Sequence, residues 1–137
     1  MTDTLKLSVP VKPEYVGTVR LAISSLANKA GFDIEAIEDI KVAVSEACSN
    51  IVCHSTIDED RLYNVICEIF SDRLSISVED EGVGFDVNNI PEPDLSEHTG
   101  SGLGVFIIRA LMDEVDVSSK VGSGTSIRMV KYLPETV

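Results

Sequence analysis

The spacing of apolar residues changes part-way along the chain, and this change constrains the fold more than any other feature. From about residue 16 to residue 54, apolar residues recur at steps of three and four, which is the spacing of one helix face. Between residues 61 and 80, apolar residues such as Leu74, Ile76 and Val78 alternate with polar ones, which is the spacing of a half-buried strand. The chain therefore places helices and strands in separate blocks, and this favours an α+β fold.

The predicted order is strand, two helices, two strands, a polar loop, a helix and two strands. Local signals mark the helix ends, because Pro13 suits a helix start, Gly31 a helix end and Asp33 an N-cap. The predicted elements are a strand at 5–9, helices at 13–31 and from 33 to about 54, strands at 61–70 and 73–80 joined by a hairpin at Ser71-Asp72, a helix from 103 to about 112, and strands at 115–120 and 125–133. This order predicts a single domain over residues 1–137, a two-layer α/β sandwich with a mainly antiparallel sheet and helices on one face.

The charge balance is strongly acidic, with 23 Asp and Glu against 11 Lys and Arg and a net charge of −12. It argues against binding to nucleic acid or to anionic membranes, because both need a basic surface. The sequence shows no basic leader and no run of about 18 apolar residues, so we expect a cytoplasmic protein without a signal peptide or membrane span. Three cysteines without C-x-x-C spacing, Cys48, Cys53 and Cys67, are expected to be small buried residues in a reducing compartment.

Asp80 ends the run "SISVED", and two glycines, Gly82 and Gly84, follow it. Because side chains alternate along a strand, Asp80 is in phase with Ile76 and Val78 and should point to the buried face. A buried carboxylate needs a hydrogen-bond donor, and the amino group of a nucleotide base could provide one while the glycines allow close approach. The alternative is that the strand frays before Asp80 and leaves it exposed in a turn.

The segment "GSGLG", with Gly100, Gly102 and Gly104, stands before an apolar helix. Free amides and the positive end of the helix dipole suit such a place to phosphate. The spacing is neither a Walker motif nor G-x-G-x-x-G, and the segment follows a loop rather than a strand, so a Rossmann fold is not predicted. The alternative is a flexible glycine hinge.

Glu46 and Asn50 lie four residues apart in the second predicted helix, so they share one helix face. A carboxylate and an amide placed together could act as a general base and a magnesium ligand. The alternative is that the two residues belong to a solvated polar face of the helix.

Together and in this order, these motifs resemble the GHKL ATPase family. E-x-x-x-N on a helix, D-x-G-x-G after a strand and G-x-G-x-G before a helix are similar to the N, G1 and G2 boxes of its Bergerat fold. The segment "GSGTSI", residues 122–127, is similar to the family's last element, where a Thr helps to hold the adenine-binding Asp. The segments "EACSNIVCHS" and "GSGLGVFIIRALMDEV" look like the bacterial anti-sigma-factor serine kinases of the RsbW and SpoIIAB type, and the resemblance spans nearly the whole chain.

The resemblance implies a protein-serine kinase that uses ATP and Mg²⁺. In that family the domain phosphorylates a serine of a STAS-domain antagonist, sequesters a sigma factor and usually forms a homodimer. By this resemblance Glu46 would take the proton of the serine hydroxyl, Asn50 would bind the magnesium, and Asp80 would accept from the adenine amino group. The other implied roles are those of Gly82 and Gly84 in shaping the base pocket, of Gly100, Ser101, Gly102, Leu103 and Gly104 in holding the phosphates, and of Thr125 in supporting Asp80.

Several alternatives remain open within the resemblance. Arg20 and Ser49 could contact partner proteins, or could be an ordinary surface residue and a packed residue. The predicted lid, at about residues 86–100, has no Lys or Arg, so a positive group for the γ-phosphate would come from elsewhere, such as Arg109 or the partner. A switch kinase that phosphorylates stressosome-like STAS proteins and activates a phosphatase would share every motif. A non-catalytic, nucleotide-dependent binding module is disfavoured because it has no need of Glu46.

Overall fold

The computed structural model describes residues 2–54, 61–80, 100–120 and 124–134. The strands are β1 (Asp3–Pro10), β2 (Leu62–Ile69), β3 (Arg73–Asp80), β4 (Glu114–Lys120) and β5 (Gly124–Tyr132). A short 3-10 helix, Pro13–Tyr15, leads into α1 (Val16–Ala30), which is followed by α2 (Ile34–His54) and later by α3 (Gly100–Leu111). None of these described helices is both long and apolar enough to cross a membrane.

The described strands form one five-stranded sheet in the order β1-β2-β3-β5-β4, and every neighbouring pair is antiparallel. The predicted hairpin joins β2 to β3, and there the Phe70 N–H donates to the Arg73 carbonyl over 2.9 Å. Because β5 lies between β3 and β4, Thr125 is placed directly opposite Asp80. The predicted α+β class with a mainly antiparallel sheet is confirmed.

The turn between α1 and α2 is closed by two capping contacts at the predicted residues. Gly31 follows α1 with φ of +103°, a left-handed conformation that glycine adopts without strain, and its N–H donates to the carbonyls of Ala27 and Asn28. Asp33 caps α2, because its Oδ1 accepts a hydrogen bond from the Ala36 N–H over 2.8 Å. The turn brings α1 back against α2, so that the two helices pack side by side.

The core lies between the helices and one face of the sheet. β3 contributes Leu74, Ile76 and Val78, which are fully buried as their alternation predicts. The helices contribute Val19, Ile23 and Ala27 from α1, Ile40, Val44 and Ile51 from α2, and Ile108 from α3. The other face of the sheet carries exposed polar residues, among them Asn64 and Glu79. The helical layer thus covers one face of the sheet, and α2 contacts both α1 and α3.

Two of the three cysteines are buried as predicted, and the third is not. Cys48 on α2 and Cys67 on β2 lie in the core, whereas Cys53 is exposed because it follows Ser49 by one turn on the outer face of α2. Burial raises the pKa of the Cys48 thiol to about 11 and that of the Cys67 thiol to about 12. Both buried thiols therefore stay protonated at neutral pH.

The third helix begins three residues earlier than predicted. α3 starts at Gly100 rather than at Leu103, so the "GSGLG" segment forms the first turn of the helix instead of preceding it. Glycine is a poor helix former in a helix interior, but the first turn needs no intrahelical acceptor for its N–H groups. The rest of the predicted lid, residues 86–99, lies outside the described residues.

Candidate functional site

Glu46 and Asn50 occupy consecutive turns of α2, the central helix of the helical layer. Asn50 is only 5 % exposed, and neither its Oδ1 nor its Nδ2 forms a hydrogen bond with any residue that the structure describes. Glu46 is half-buried. A buried amide without a partner lowers stability, so the solvated-face alternative is wrong for Asn50. Its two polar atoms are suited instead to a ligand, and the oxygen is the kind of donor that Mg²⁺ prefers.

The first turn of α3 packs against α2 at Gly104. A Cβ built at Gly104 would lie 3.3 Å from Glu46 Oε2 and 3.9 Å from the Glu46 carbonyl oxygen. The shorter distance is tighter than ordinary van der Waals contact, so a larger residue at this position would press on the carboxylate. The first four N–H groups of a helix also have no intrahelical acceptor, so those at the start of α3 are open to a ligand. We call Glu46, Asn50 and the first turn of α3, residues 100–104, the helix cluster.

Asp80, at the end of β3, points inward as its phase predicts. Its side chain is 4 % exposed, and its Oδ1 accepts a hydrogen bond from Nη2 of Arg61 in an ion pair. The alternative of an exposed turn residue is therefore wrong. A carboxylate this deeply buried is tolerated because a guanidinium supplies both an opposite charge and a hydrogen-bond donor.

Thr125, on β5, lies on the other side of Asp80. The two residues are direct partners in the β3–β5 register, and Thr125 is buried. Its hydroxyl lies 2.8 Å from Oγ of Ser119 on β4, and Ser119 also donates to the Gly124 carbonyl over 3.2 Å. We call Arg61, Asp80, Thr125 and Ser119 the strand cluster. It places polar groups from neighbouring strands around one inward carboxylate.

Arg61 is a member of the strand cluster that sequence analysis missed. The alternation along β2 carried a signal for it, since Arg61 is in phase with Tyr63 and Val65, and both of these are buried. The main chain of Arg61 is also held in place, because its carbonyl accepts a hydrogen bond from the Val11 N–H over 3.0 Å. A cation in phase with the buried face of β2 needs an acidic partner, and Asp80 on β3 provides it.

The other predicted site residues lie in different helices or outside the described residues. Gly82 and Gly84 lie outside the described residues. The first turn of α3 contains Gly100, Ser101, Gly102 and Leu103. Arg20 on α1 and Ser49 on α2 are exposed, as residues that contact a partner must be. Arg109 is in the last turn of α3, so about 13 Å of helix separates it from the phosphate-suited end.

Comparison with known families identifies the class of domain. Residues 9–131 match the family described as a histidine kinase-like ATPase domain. The chain therefore belongs to the family of histidine kinase-like ATPase domains. This result agrees with the GHKL resemblance and with the order of the motifs.

Within this family, the chain is similar to proteins named serine-protein kinase RsbW. The protein of Bacillus velezensis is 41 % identical over 141 residues, which covers 96 % of this chain and 86 % of the relative. The protein of Oceanobacillus iheyensis is 41 % identical over 142 residues, which covers 97 % of this chain and 89 % of the relative. The protein of Bacillus subtilis is 40 % identical over 141 residues, with 96 % and 86 % covered. The chain thus belongs with the RsbW serine-protein kinases, and the predicted enzyme class is confirmed.

Solved structures share the same fold. The RsbU and RsbW domains of a Mycobacterium tuberculosis protein give a TM-score of 0.71 at 20 % identity, covering 96 % of this chain and 33 % of that chain. The SiaB–SiaC complex from Pseudomonas aeruginosa gives a TM-score of 0.68 at 15 % identity, covering 92 % of this chain and 88 % of that chain. At these identities the likeness shows the fold alone, and it confirms the predicted two-layer architecture.

Proposed function

We propose that this protein is an ATP-dependent protein-serine kinase that phosphorylates a serine of a STAS-domain partner and also sequesters a sigma factor. The observation that carries the proposal is Asn50, a buried amide whose two polar atoms have no partner among the described residues. One turn earlier on α2, Glu46 lies against the first turn of α3 at Gly104. A carboxylate, an oxygen ligand and a helix N-terminus thus meet in the helix cluster.

The two clusters suit the two ends of a nucleotide. In the helix cluster, Asn50 Oδ1 would bind Mg²⁺, and the main-chain amides of residues 100–104 would hold the phosphates. Mg-ATP supplies the phosphoryl group, and its Mg²⁺ offsets the charge of the phosphates. In the strand cluster, Asp80 would accept from the adenine amino group with support from Thr125. Gly82 and Gly84 would shape the base pocket, within a single domain whose lid spans about residues 86–100.

Glu46 would act as the general base. Its carboxylate is half-buried and lies against α3, where a phosphate held at the start of that helix would be close to it. The carboxylate would take the proton from the serine hydroxyl while the serine oxygen bonds to the γ-phosphorus and the bond to ADP breaks. The products are phosphoserine and ADP, and the proton is then released from Glu46 to water. Phosphoryl transfer depends mainly on positioning and charge neutralisation, so this small set of side chains is enough.

The proposed protein partners follow from the relatives and from the exposed surface beside Glu46. The relatives are named serine-protein kinases, and the SiaB structure holds SiaC in a complex. Ser49 on α2 and Arg20 on α1 are both exposed, so a bound STAS protein or sigma factor could reach them. A homodimer located in the cytoplasm belongs to the same proposal.

The direct test is phosphoryl transfer to a protein substrate. The protein is incubated with γ-labelled ATP, Mg²⁺ and candidate STAS proteins, and Glu46→Gln is compared with Glu38→Gln. Glu38 is an exposed glutamate two turns earlier on the same helix, so it controls for the change of charge. We expect label on the STAS protein with the parent and with Glu38→Gln, and a loss of about 100-fold or more with Glu46→Gln. Equal transfer by Glu46→Gln would reject the assignment of the base, and absence of both ATP binding and transfer would reject the kinase.

A second experiment separates the related functions. A pull-down with sigma factors in the presence of ATP should recover a stable complex if the protein is an anti-sigma factor. STAS phosphorylation without a sigma complex, together with activation of a phosphatase, would indicate the switch kinase instead. ATP-dependent partner binding without any transfer by the parent protein would indicate a non-catalytic binding module.

A further inference from the structure

We propose that Arg61 is a positioning residue for recognition of the nucleotide base. Its guanidinium would hold the Asp80 carboxylate in the orientation that selects a purine with an exocyclic amino group. A purine that lacks this group, or that presents a carbonyl in its place, would be rejected. The inference rests on the proposed function, in which Asp80 recognises the base.

The burial of the pair shows that it is more than a surface contact. The Asp80 side chain is 4 % exposed and the Arg61 side chain 18 % exposed, so both charges are largely removed from water. The ion pair between Arg128 and Asp116 is different, since both side chains are exposed and their charged atoms lie 3.5 Å apart. A largely buried charge pair is weakly screened by solvent, so its geometry is strongly restrained.

The geometry of the pair restrains the plane of the carboxylate. The last torsion of an aspartate is broad, so a carboxylate without a directed partner rotates over a wide range. Arg61 donates to Oδ1 of Asp80 from a rigid, planar group with fixed donor directions. Its own main chain is held by the hydrogen bond from Val11, and Thr125 lies opposite Asp80 on the other side of β3. The carboxylate is therefore held by Arg61, the residue before β2, and is flanked by β5 on the other side.

A carboxylate held in one orientation selects a base that can donate a hydrogen bond to it. An ionised carboxylate only accepts hydrogen bonds, so the base must present a donor to it. A hydrogen bond to a charged group corresponds to a preference of about 10- to 100-fold over a ligand without the donor. Loss of Arg61 would reduce this preference, because the carboxylate would no longer be aimed at the amino group. The phosphates would still be held by the separate helix cluster, so binding of a base without the amino group would change little.

The test measures two dissociation constants for each variant by calorimetry with Mg²⁺, one for ATP and one for purine riboside triphosphate, which lacks the 6-amino group. The variants are Arg61→Gln, Arg61→Lys, Asp80→Asn and, as a matched control, Arg128→Gln at the exposed pair. We expect the parent and Arg128→Gln to prefer ATP by about 10- to 100-fold. In Arg61→Gln the preference for ATP should fall by about 10-fold, because ATP binds more weakly while purine riboside triphosphate binds as before. In Asp80→Asn the whole preference for ATP should be lost. Arg61→Lys keeps the positive charge but lacks the planar guanidinium with its fixed donor directions. It should therefore retain more of the preference for ATP than Arg61→Gln does.

The outcomes distinguish this inference from the proposed function. No ATP binding by the parent, or an unchanged preference in Asp80→Asn, would overturn both. A parent preference that Asp80→Asn removes but Arg61→Gln retains would overturn the role of Arg61 and leave the kinase proposal in place. Equal weakening of both ligands by Arg61→Gln would show a purely structural role, and tighter ATP binding would show that Arg61 competes with the base. Circular dichroism at the assay temperature tests whether each variant is folded. If Arg61→Gln is unfolded, Arg61→Lys is compared with the parent in its place.

Discussion

The strand cluster and the helix cluster differ in how their buried polar atoms are satisfied. In the strand cluster, Asp80 is paired with Arg61, and the hydroxyl of Thr125 is hydrogen-bonded to Ser119. In the helix cluster, the Asn50 amide is equally buried but has no partner among the described residues. The strand cluster is thus assembled by the protein's own contacts, whereas the helix cluster contains a group suited to a ligand. We therefore expect substitutions in the strand cluster to lower stability, and substitution of Asn50 to lower activity alone.

The largest expected effect is on phosphoryl transfer by Asn50→Leu. Transfer should fall by about 100-fold or more, because the proposed oxygen ligand of the Mg²⁺ that offsets the charge of the phosphates is removed. The free energy of unfolding should stay the same or rise by about 1 kcal/mol, because leucine has a similar branched shape and no polar group to desolvate. Urea unfolding without nucleotide and the transfer assay measure the two effects. Asn28→Leu, the same change at an exposed position of α1, should leave transfer unchanged, and a clear loss of stability in Asn50→Leu would contradict the comparison.

Arg61→Met should have the opposite effect on stability. It leaves the Asp80 carboxylate buried without its guanidinium, and removal of one member of a buried ion pair costs about 3 kcal/mol. The double variant Arg61→Met/Asp80→Leu should recover most of this loss, because both charges are replaced by apolar groups. Arg128→Met breaks an exposed pair and should cost less than about 1 kcal/mol. Urea unfolding of the four proteins measures these differences, and a single Arg61 variant as stable as the parent would show that the pair does not support the fold.

High pH should lower stability through the core rather than through either cluster. Burial raises the pKa of the Cys48 thiol from 9.0 to about 11 and that of Cys67 from 9.0 to about 12. Below pH 9 both thiols are protonated in the folded and unfolded states, so their contribution is complete. Above pH 9 the unfolded chain releases these protons first, so stability falls as the pH rises towards the folded-state values. We expect a loss of about 3 kcal/mol between pH 8 and pH 10 in reducing buffer.

Alanine variants identify the thiols responsible for this pH dependence. Replacement of both Cys48 and Cys67 should make the urea-unfolding free energy flatter between pH 8 and pH 10. Replacement of the exposed Cys53 should leave the slope unchanged. A slope that is the same in all three proteins would assign the loss to other groups.

Gly104→Ala should give the smallest effect of the series. The new methyl group would lie 3.3 Å from Glu46 Oε2, so the carboxylate must shift by a few tenths of an ångström. We expect a fall in kcat of about 10-fold, because small misplacements of a catalytic group are costly, and a change in stability within about 1 kcal/mol. Gly17→Ala is the matched control, since its methyl group would lie 3.8 Å from Nη2 of Arg20, an ordinary contact. An unchanged kcat in Gly104→Ala would mean that Glu46 has room to adjust.

Most of the secondary structure was predictable because its signals are local. The alternation along β3 and the capping residues Gly31 and Asp33 each depend only on near neighbours in the chain, and the inward direction of Asp80 follows from the same alternation. The start of α3 was predicted three residues late, since the glycines of its first turn disfavour helix by propensity. The packing of that turn against α2 depends on its position in the fold, which composition does not report.

The sequence alone was thus enough to predict most helices and strands, the order of the motifs and the inward direction of Asp80. The pairing of Arg61 with Asp80, the closeness of Gly104 to Glu46 and the burial of Asn50 depended on which strands and helices pack together. Ser49 and Asn50 illustrate the reason, because they are adjacent polar residues in one helix, yet Ser49 is exposed and Asn50 is 5 % exposed. Burial and pairing are set by the surface that each side chain meets, and that surface comes from residues distant in the chain.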